Sequence, residues 1–255
     1  KKRVLLQRKL SAMLAVIMFV LQVPAAEVSA EAGEPELQRE IVFYDGEIVD
    51  LVNETERYSV IGAENYSENG RIPGTQAFTF DGKTAINLDT DEYVNKQEFT
   101  METWVYLEPD ANAGRFFSNS INTSYPNQWD WGYNTKSSGY GPYMIMSSSN
   151  CKGTASYSSE AVRITGEEYG SYPLGEWIHV ALTRNGKEFA IYVNGQLAAA
   201  ASAPSDLEQS NPNARVLIGA QNAPNGTDVV LGMIGRMDSF KVYDGAKSLS
   251  QIRET

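Results

Sequence analysis

Seven Asp-Gly or Asn-Gly dipeptides punctuate this chain, and short runs of alternating apolar and polar residues lie between them. Asn and Asp tolerate the positive φ that tight two-residue hairpin turns require, and Gly adopts it freely. Many short strands joined by such turns are typical of an antiparallel sandwich or jelly roll. The dipeptides are Asp45-Gly46, Asn69-Gly70, Asp81-Gly82, Asn185-Gly186, Asn194-Gly195, Asn225-Gly226 and Asp244-Gly245.

Period-two alternation identifies the strands themselves. Residues 176–197 carry the strongest signal, because two Asn-Gly pairs bracket one alternating run and another run precedes them; type I′ turns are expected at both pairs. The strand at 99–107 has apolar bulk on both faces, with Trp104 and Tyr106 opposite Phe99 and Met101. It is therefore expected to be central, with loops or a ligand groove over its second face. The predicted strands cover residues 41–44, 77–80, 99–107, 143–147, 177–183, 189–193, 216–218 and 236–243.

The first thirty residues have the layout of a secretory signal peptide: a basic start, an apolar run and a small-residue stretch ending at Ala30. The apolar run is shorter than the roughly 20 residues of a spanning helix. We therefore expect cleavage after Ala30, no stable membrane insertion afterwards, and a secreted or cell-surface protein. Residues 31–38 read as a flexible leader, and residues 39–255 as one domain.

Charge and cysteine content narrow the function classes. Removal of residues 1–30 takes the formal net charge from −11 to −15, which argues against a nucleic-acid partner. Cys151 is the only cysteine, so no disulfide forms within the chain. Stability must come from the core, and a domain of this length can bury one.

Six segments, in their order and spacing, resemble the laminin-G-like jelly roll of the concanavalin A-like lectin and glucanase superfamily in its bacterial form. They are AFTFDG (77–82), EFTMETWV (98–105), EWIHVALT (176–183), IYVNG (191–195), VLIG (216–219) and IGRMDSFKVY (234–243). The resemblance implies an all-β fold: an antiparallel two-sheet β-sandwich. Relatives bind glycans, calcium or extracellular proteins, and many accompany glycoside hydrolases or occur in adhesins.

Residue patterns argue against catalysis within this chain. The E-x-D-x-E triplet of glucanase relatives is absent, and Glu98 and Glu102 lie four positions apart. His179 is the only histidine, and beside Trp177 in a central strand it is expected to be a packing residue. No G-x-S-x-G elbow accompanies it.

Calcium remains open as a structural ion. The resemblance extends loosely to calcium-binding pentraxins, but the corresponding segment 219–223 lacks carboxylates. Asp81 and Asp238 are the weak candidates elsewhere. Their alternative roles are turn chemistry with Gly82 for Asp81 and a backbone hydrogen bond for Asp238.

The interval 118–175 is rich in Ser, Asn, Gly and Tyr, a composition typical of binding loops. Within it, Trp129, Trp131 and Tyr133 alternate onto one face if the segment is extended. These rings either stack on sugars or form core, and both interpretations stay open. The candidate ligand-binding residues are Trp129, Asp130, Trp131, Tyr133, Asn134, Tyr140 and Tyr143.

The leading hypothesis is a secreted, non-catalytic carbohydrate-binding or adhesion module of a larger extracellular bacterial protein. Its partner would be a glycan or an extracellular protein. The alternative is a structural or protein-interaction module without a sugar ligand. A glycan-cleaving enzyme is the third reading, and it would require a carboxylate pair that the sequence does not display.

Overall fold

Strands make up nearly all regular structure in the computed structural model, which describes residues 34–53, 58–90, 94–111, 113–121, 128–134, 141–147, 161–164, 170–204, 207 and 211–255. The strands in chain order are β1 (Leu37–Tyr44), β2 (Glu47–Asp50), β3 (Ser59–Ile61), β4 (Tyr66–Ser67), β5 (Ala77–Asp81), β6 (Ala85–Asn87), β7 (Glu98–Leu107), β8 (Gly114–Ser118), β9 (Trp129–Tyr133), β10 (Pro142–Ser147), β11 (Ala161–Ile164), β12 (Trp177–Asn185), β13 (Glu188–Val193), β14 (Gln196–Ser202), β15 (Leu217–Ile218), β16 (Gln221–Asn222), β17 (Val229–Val230) and β18 (Ile234–Tyr243). One short helix, α1 (Leu249–Arg253), follows them.

The strands form two large antiparallel sheets, which confirms the predicted sandwich. The nine-stranded sheet has the order β14-β13-β12-β7-β18-β1-β2, with β5 paired to β18 and β4 to β5. The seven-stranded sheet has the order β11-β10-β9-β8-β15-β6-β3, and β16 and β17 form a separate ribbon. Every one of the eight predicted strands is present, each with one boundary shifted by one to four residues.

The main core lies between the two sheets. Along β7, Phe99, Met101 and Val105 point inward and are fully buried, as period-two alternation requires. Phe117 from the seven-stranded sheet stacks on Phe240 from the other, with ring centroids 6.2 Å apart and an interplanar angle of 11°. Such aromatic contacts across the interface bury large apolar surfaces and hold the sheets face to face.

The turns follow the sequence prediction at one of the two Asn-Gly pairs. Asn194 and Gly195 have φ of 48° and 69° between the paired residues Val193 and Gln196, so they form a two-residue turn of type I′. The prediction for Asn185-Gly186 is wrong in register. Asn185 ends β12 paired with Glu188, and the turn is therefore Gly186-Lys187, where only Gly186 has positive φ, 58°. That pattern belongs to type II′, in which the glycine occupies the first central position.

A buried arginine fastens the start of β7 to the loop beyond β14. Arg184 is fully buried, and its guanidinium donates to the carbonyls of Gly186, Lys96 and Leu207 at 2.7 to 2.9 Å. It also donates to the Gln97 side chain at 2.8 Å. Each donor removed from water thereby gains an oxygen partner, which offsets the cost of burying the charge.

Several sequence predictions fall outside the described residues: the signal peptide, residues 31–33 of the leader, Cys151 and Tyr140. The last two residues of the predicted leader, Leu37 and Gln38, lie in β1. Within the described residues, no helix combines the length and the apolarity needed to cross a membrane. The described parts of the interval 118–175 include β9, β10 and β11, so much of what reads as loop is strand in the seven-stranded sheet.

Candidate functional site

The three aromatic residues of β9, for which sugar stacking and core packing were both open, lie in the core. Trp129, Trp131 and Tyr133 alternate onto one face of β9, and that face points toward the other sheet, leaving each side chain 0% exposed. Trp129 contacts the rings of Phe99 and Phe117, with centroids 5.8 and 5.1 Å away. Their burial supports the interpretation that these rings form core, because no ring plane is available to a sugar.

Asp130 points to the opposite side of β9 and is also fully buried. Its carboxylate accepts hydrogen bonds from Ser120 at 2.7 Å and from the Gln221 side-chain amide at 2.9 Å. Burial raises the pKa of this carboxyl, although Arg115, 3.9 Å away, acts in the opposite direction. Asp130 therefore sits in a closed polar cluster that joins β9 to β16.

The remaining predicted ligand residues are dispersed. Tyr143 on β10 is partly exposed and lies beneath the Arg115 guanidinium, 4.0 Å from its ring centroid. Gly132 separates the two on the intervening strand, and a Cβ there would lie 2.1 Å from the Gly114 carbonyl oxygen. Asn134 is partly exposed just after β9, where its backbone N–H donates to the Gly141 carbonyl at 3.2 Å. These residues do not assemble with the three core rings into one surface.

The two weak calcium candidates have local hydrogen-bond roles. Asp81 accepts from the Lys83 backbone and the Thr84 hydroxyl, both at 2.9 Å, within the turn at Gly82. Asp238 accepts from the Arg71 backbone at 2.7 Å. Among the described residues, no group of three His, Cys, Asp or Glu side chains is placed to hold a metal ion.

A different surface gathers partly exposed aromatic residues: the outer face of the nine-stranded sheet. In the β7–β12 register, His179 pairs with Trp104 and Trp177 pairs with Tyr106, so the four side chains form two adjacent rows. The Trp104 and His179 rings are 5.3 Å apart, and the Tyr106 and Trp177 rings are 5.8 Å apart. We call these four residues the aromatic face. Three of its rings, those of Trp104, Tyr106 and Trp177, remain partly exposed.

Two arginines stack on the aromatic face. The Arg71 guanidinium lies 4.3 Å from the Trp104 ring centroid, and the Arg236 guanidinium lies 3.9 Å from that of Tyr106. The Nε atoms of both arginines are buried without a hydrogen-bond partner, although Arg236 Nε lies 3.7 Å from a Glu108 carboxylate oxygen. Stacking of this kind orients the guanidinium and leaves its edge available for polar ligand groups.

A buried ion cluster lies beside Trp104 on the same face of β7 and includes His179 of the aromatic face. Glu102 is 1% exposed, and its carboxylate lies 2.7 Å from Lys247 Nζ and 3.5 Å from His179 Nε2. Burial by itself would raise the pKa of Glu102, but the contacts with His179 and Lys247 outweigh it and lower that pKa overall. Glu98 is exposed on the same strand, four residues before Glu102, and a rise of about 3.3 Å per residue places their backbones about 13 Å apart. The two carboxylates therefore do not form the close pair that a retaining glycosidase uses.

An open cleft of about 360 Å³ borders the aromatic face, a size within the range of small-molecule sites. Its walls come from β7, β12, the β13–β14 turn and α1 with the residues after it. The lining residues are Trp104, Trp177, His179, Asn194, Gly195, Ile252, Arg253 and Thr255. The cleft combines two indole rings with amide, imidazole and guanidinium groups, a mixture suited to a polar ligand with an apolar face.

The sequence contains part of the signal for this surface. Trp104 and Tyr106 give β7 its second apolar face, and the sequence predicts that either loops or a ligand groove lies over that face. His179 is expected from the sequence to be a packing residue, and it is 3% exposed. Trp177 beside it is partly exposed. No sequence pattern shows that α1 returns beside the β13–β14 turn to close the cleft.

Comparisons with solved structures show the same fold. Domain 4 of AbnA, a GH43 extracellular arabinanase from Geobacillus stearothermophilus solved in complex with arabinotriose, is 18% identical with a TM-score of 0.64; the match covers 87% of this chain and 98% of that domain. The binding domain of Paraclostridial Mosquitocidal Protein 1 is 15% identical with a TM-score of 0.56, covering 86% of this chain and 51% of that one. Botulinum neurotoxin type C, whose cell entry depends on two ganglioside molecules, gives 12% identity and a TM-score of 0.54 over 86% of this chain and 50% of the solved chain.

The chain thus spans about half the length of the two toxin chains and nearly all of the arabinanase domain. A search of curated proteins found no match. A family model for laminin-G-like domains, described as the concanavalin A-like lectin/glucanases superfamily, matches residues 80–253. The two antiparallel sheets agree with this match, and the chain belongs to the concanavalin A-like lectin/glucanase superfamily.

Proposed function

We propose that this protein is a non-catalytic carbohydrate-binding module of an extracellular protein, and that it binds its ligand on the aromatic face. The observation that carries the proposal is the position of Trp104 and Trp177, both partly exposed on the outside of a sheet and both lining one cleft. Indole rings on a rigid strand surface offer flat apolar planes at little entropic cost, and sugar rings have matching apolar faces.

The rest of the cleft supplies what a sugar's hydroxyl groups need. Asn194, His179 and Arg253 contribute polar side chains around the two indole rings. A few placed polar groups within a mainly apolar site are the usual basis of orientation and specificity. The arabinanase domain solved with arabinotriose supports the same class of ligand, since it shares this fold.

The positions of the carboxylates on this face support a role in binding over one in glycan cleavage. Glu102 is held by Lys247 and His179 beneath the surface, and Glu98 is remote along the strand. Hydrolysis by the retaining mechanism requires two carboxyl groups about 5 to 5.5 Å apart across the scissile bond. The alternative is a protein-interaction role without a sugar ligand, which the binding experiment below must distinguish from carbohydrate binding.

Glycan-array screening of the purified chain, followed by calorimetry on the best ligand, tests the proposal. Trp104→Ala and Trp177→Ala are each expected to weaken binding at least tenfold. Tyr44→Ala is the matched control, because Tyr44 is an exposed aromatic residue, 37% exposed, at the end of β1 and outside the cleft. Absence of any glycan ligand, or equal losses in all three variants, would overturn the proposal.

Export is part of the same proposal and has a separate test. The basic start, the apolar run and the small residues before Ala30 support signal-peptide cleavage. Expression in a bacterial host, with mass spectrometry of the protein in the medium, is expected to give an N-terminus at Glu31. Retention of residues 1–30 on the mature protein would contradict export by this route.

A further inference from the structure

Positive charge is concentrated around the aromatic face of an otherwise acidic chain. The whole sequence has a formal net charge of −11, yet Arg71, Arg236, Lys247 and Arg253 all lie on or beside this surface. Charges that line a cleft favour ligands of the opposite sign where the protein does not already balance those charges.

Three of these four cations already have acidic neighbours. Lys247 contacts Glu102, Arg236 lies near Glu108, and Asp238 interacts with Arg71. Their charges are largely balanced within the protein. Binding an anionic ligand to them would compete with an existing partner.

Arg253 differs from the other three. It is exposed at the end of α1 and lines the cleft, and its Nε donates to the Gly195 carbonyl at 2.9 Å. No ion pair joins it to a carboxylate of the described residues, and its two terminal nitrogens make no hydrogen bond there. The Gly195 contact fixes the guanidinium at the rim, so its remaining donors can reach a ligand without first being ordered.

We propose, building on the proposed carbohydrate-binding function, that the ligand is an acidic saccharide containing uronic acid residues. A sugar ring lies against Trp104 or Trp177, and its carboxylate pairs with the terminal nitrogens of Arg253. A guanidinium binds a carboxylate through two parallel hydrogen bonds, which makes this pair both stronger and more directional than a contact with a neutral hydroxyl. The acidic remainder of the surface disfavours binding of such a ligand elsewhere on the protein.

The test compares ligands of equal length that differ in charge. Calorimetry with the full chain uses oligogalacturonate and oligomannuronate on one side, and arabino-, xylo- and cello-oligosaccharides on the other. At least one acidic oligosaccharide is expected to bind ten times more tightly than every neutral one. Arg253→Gln is expected to remove most of that preference while leaving the thermal midpoint unchanged. Arg163→Gln, an exposed arginine on β11 of the other sheet, is the matched control and is expected to retain the preference.

The outcomes separate this inference from the function on which it rests. Binding of a neutral saccharide that depends on Trp104, with acidic ones no tighter, would overturn the uronic acid assignment and keep the carbohydrate-binding role. An unchanged preference in Arg253→Gln would overturn the role of Arg253. Failure of every saccharide to bind would overturn both proposals.

Discussion

Replacement of Trp129 by alanine is expected to destabilise the protein strongly without acting on the ligand site. The indole is 0% exposed and packs between Phe99 and Phe117. Burial of roughly 200 Å² of apolar surface at about 25 cal/mol per Å² corresponds to about 5 kcal/mol. Measured Trp→Ala losses in cores are about 3 to 5 kcal/mol. We therefore expect a loss of about 3 to 5 kcal/mol in the free energy of unfolding.

The thermal midpoint gives the same expectation in a directly measured form. For a domain of this size, each kcal/mol lowers the midpoint by about 2 to 4 °C, so Trp129→Ala should lower it by roughly 6 to 20 °C. Trp104→Ala is the counterpart, because Trp104 is partly exposed on the outer face of the sheet. It should leave most of the stability intact and reduce glycan binding. Urea unfolding and calorimetry on both variants, below the lower midpoint, make the comparison.

Tryptophan fluorescence adds an internal check. The chain has four tryptophans, of which Trp129 and Trp131 are in the core and Trp104 and Trp177 line the cleft. Acrylamide should quench only part of the native emission, and ligand should protect that same part. If Trp129→Ala lost less than about 1 kcal/mol and also abolished binding, the indole would belong to the site and the reasoning from burial would be refuted.

Three further variants test the electrostatics of the fold. Arg184→Met should lower the free energy of unfolding in urea by up to about 3 to 5 kcal/mol, because the buried carbonyl oxygens that accept from Arg184 are left unpaired. A loss below about 0.5 kcal/mol would contradict a stabilising role for Arg184. Lys247→Met should make the stability less dependent on acid. The lowered pKa of Glu102 contributes stability that is present above about pH 4.3 and is lost as the pH falls through the folded-state pKa, and removing Lys247 reduces that contribution. An acid dependence in urea unfolding as steep as that of the wild type would contradict it. Asp130→Asn should change the pH dependence of stability in the opposite direction. The raised pKa of Asp130 makes the wild type lose stability as the pH rises from about 3.9, so the stability of the variant relative to the wild type should grow over that range. A constant difference in stability from about pH 3 to 8 would contradict this expectation.

The sequence predicts the sandwich well because its evidence is local. Alternation identifies both β7 and β12, and the type I′ turn at Asn194 sets the pairing of the adjacent residues of β13 and β14, up to the register shift between Ile191 and Tyr192. The turn after Asn185 shows the limit of that evidence. The sequence Asn185-Gly186 is compatible with a turn centred on these two residues or on the next pair. Because Asn185 pairs with Glu188, the turn is centred one residue later, on Gly186 and Lys187.

The proposed ligand surface is harder to predict from sequence, because alternation shows that two sets of residues point to opposite faces without showing which set faces the core. Trp129 and Trp131 alternate as an exposed stacking surface would, and their burial depends on the opposing sheet. The closure of the cleft by Arg253 likewise depends on a contact with Gly195, 58 residues earlier in the chain. Such long-range contacts leave no periodic trace in either segment.

The β13–β14 turn connects register and recognition in one small element. Asn194 accepts the His179 backbone N–H through its side chain at 2.9 Å, and Gly195 accepts the Arg253 side chain through its carbonyl. A Cβ at Gly195 would lie 3.0 Å from Arg253 Cγ, where φ is already 69°. A side chain at position 195 would therefore disturb the position of Arg253, which the proposed ligand site requires. The same turn thus pairs β13 with β14 and holds the Arg253 guanidinium beside the cleft.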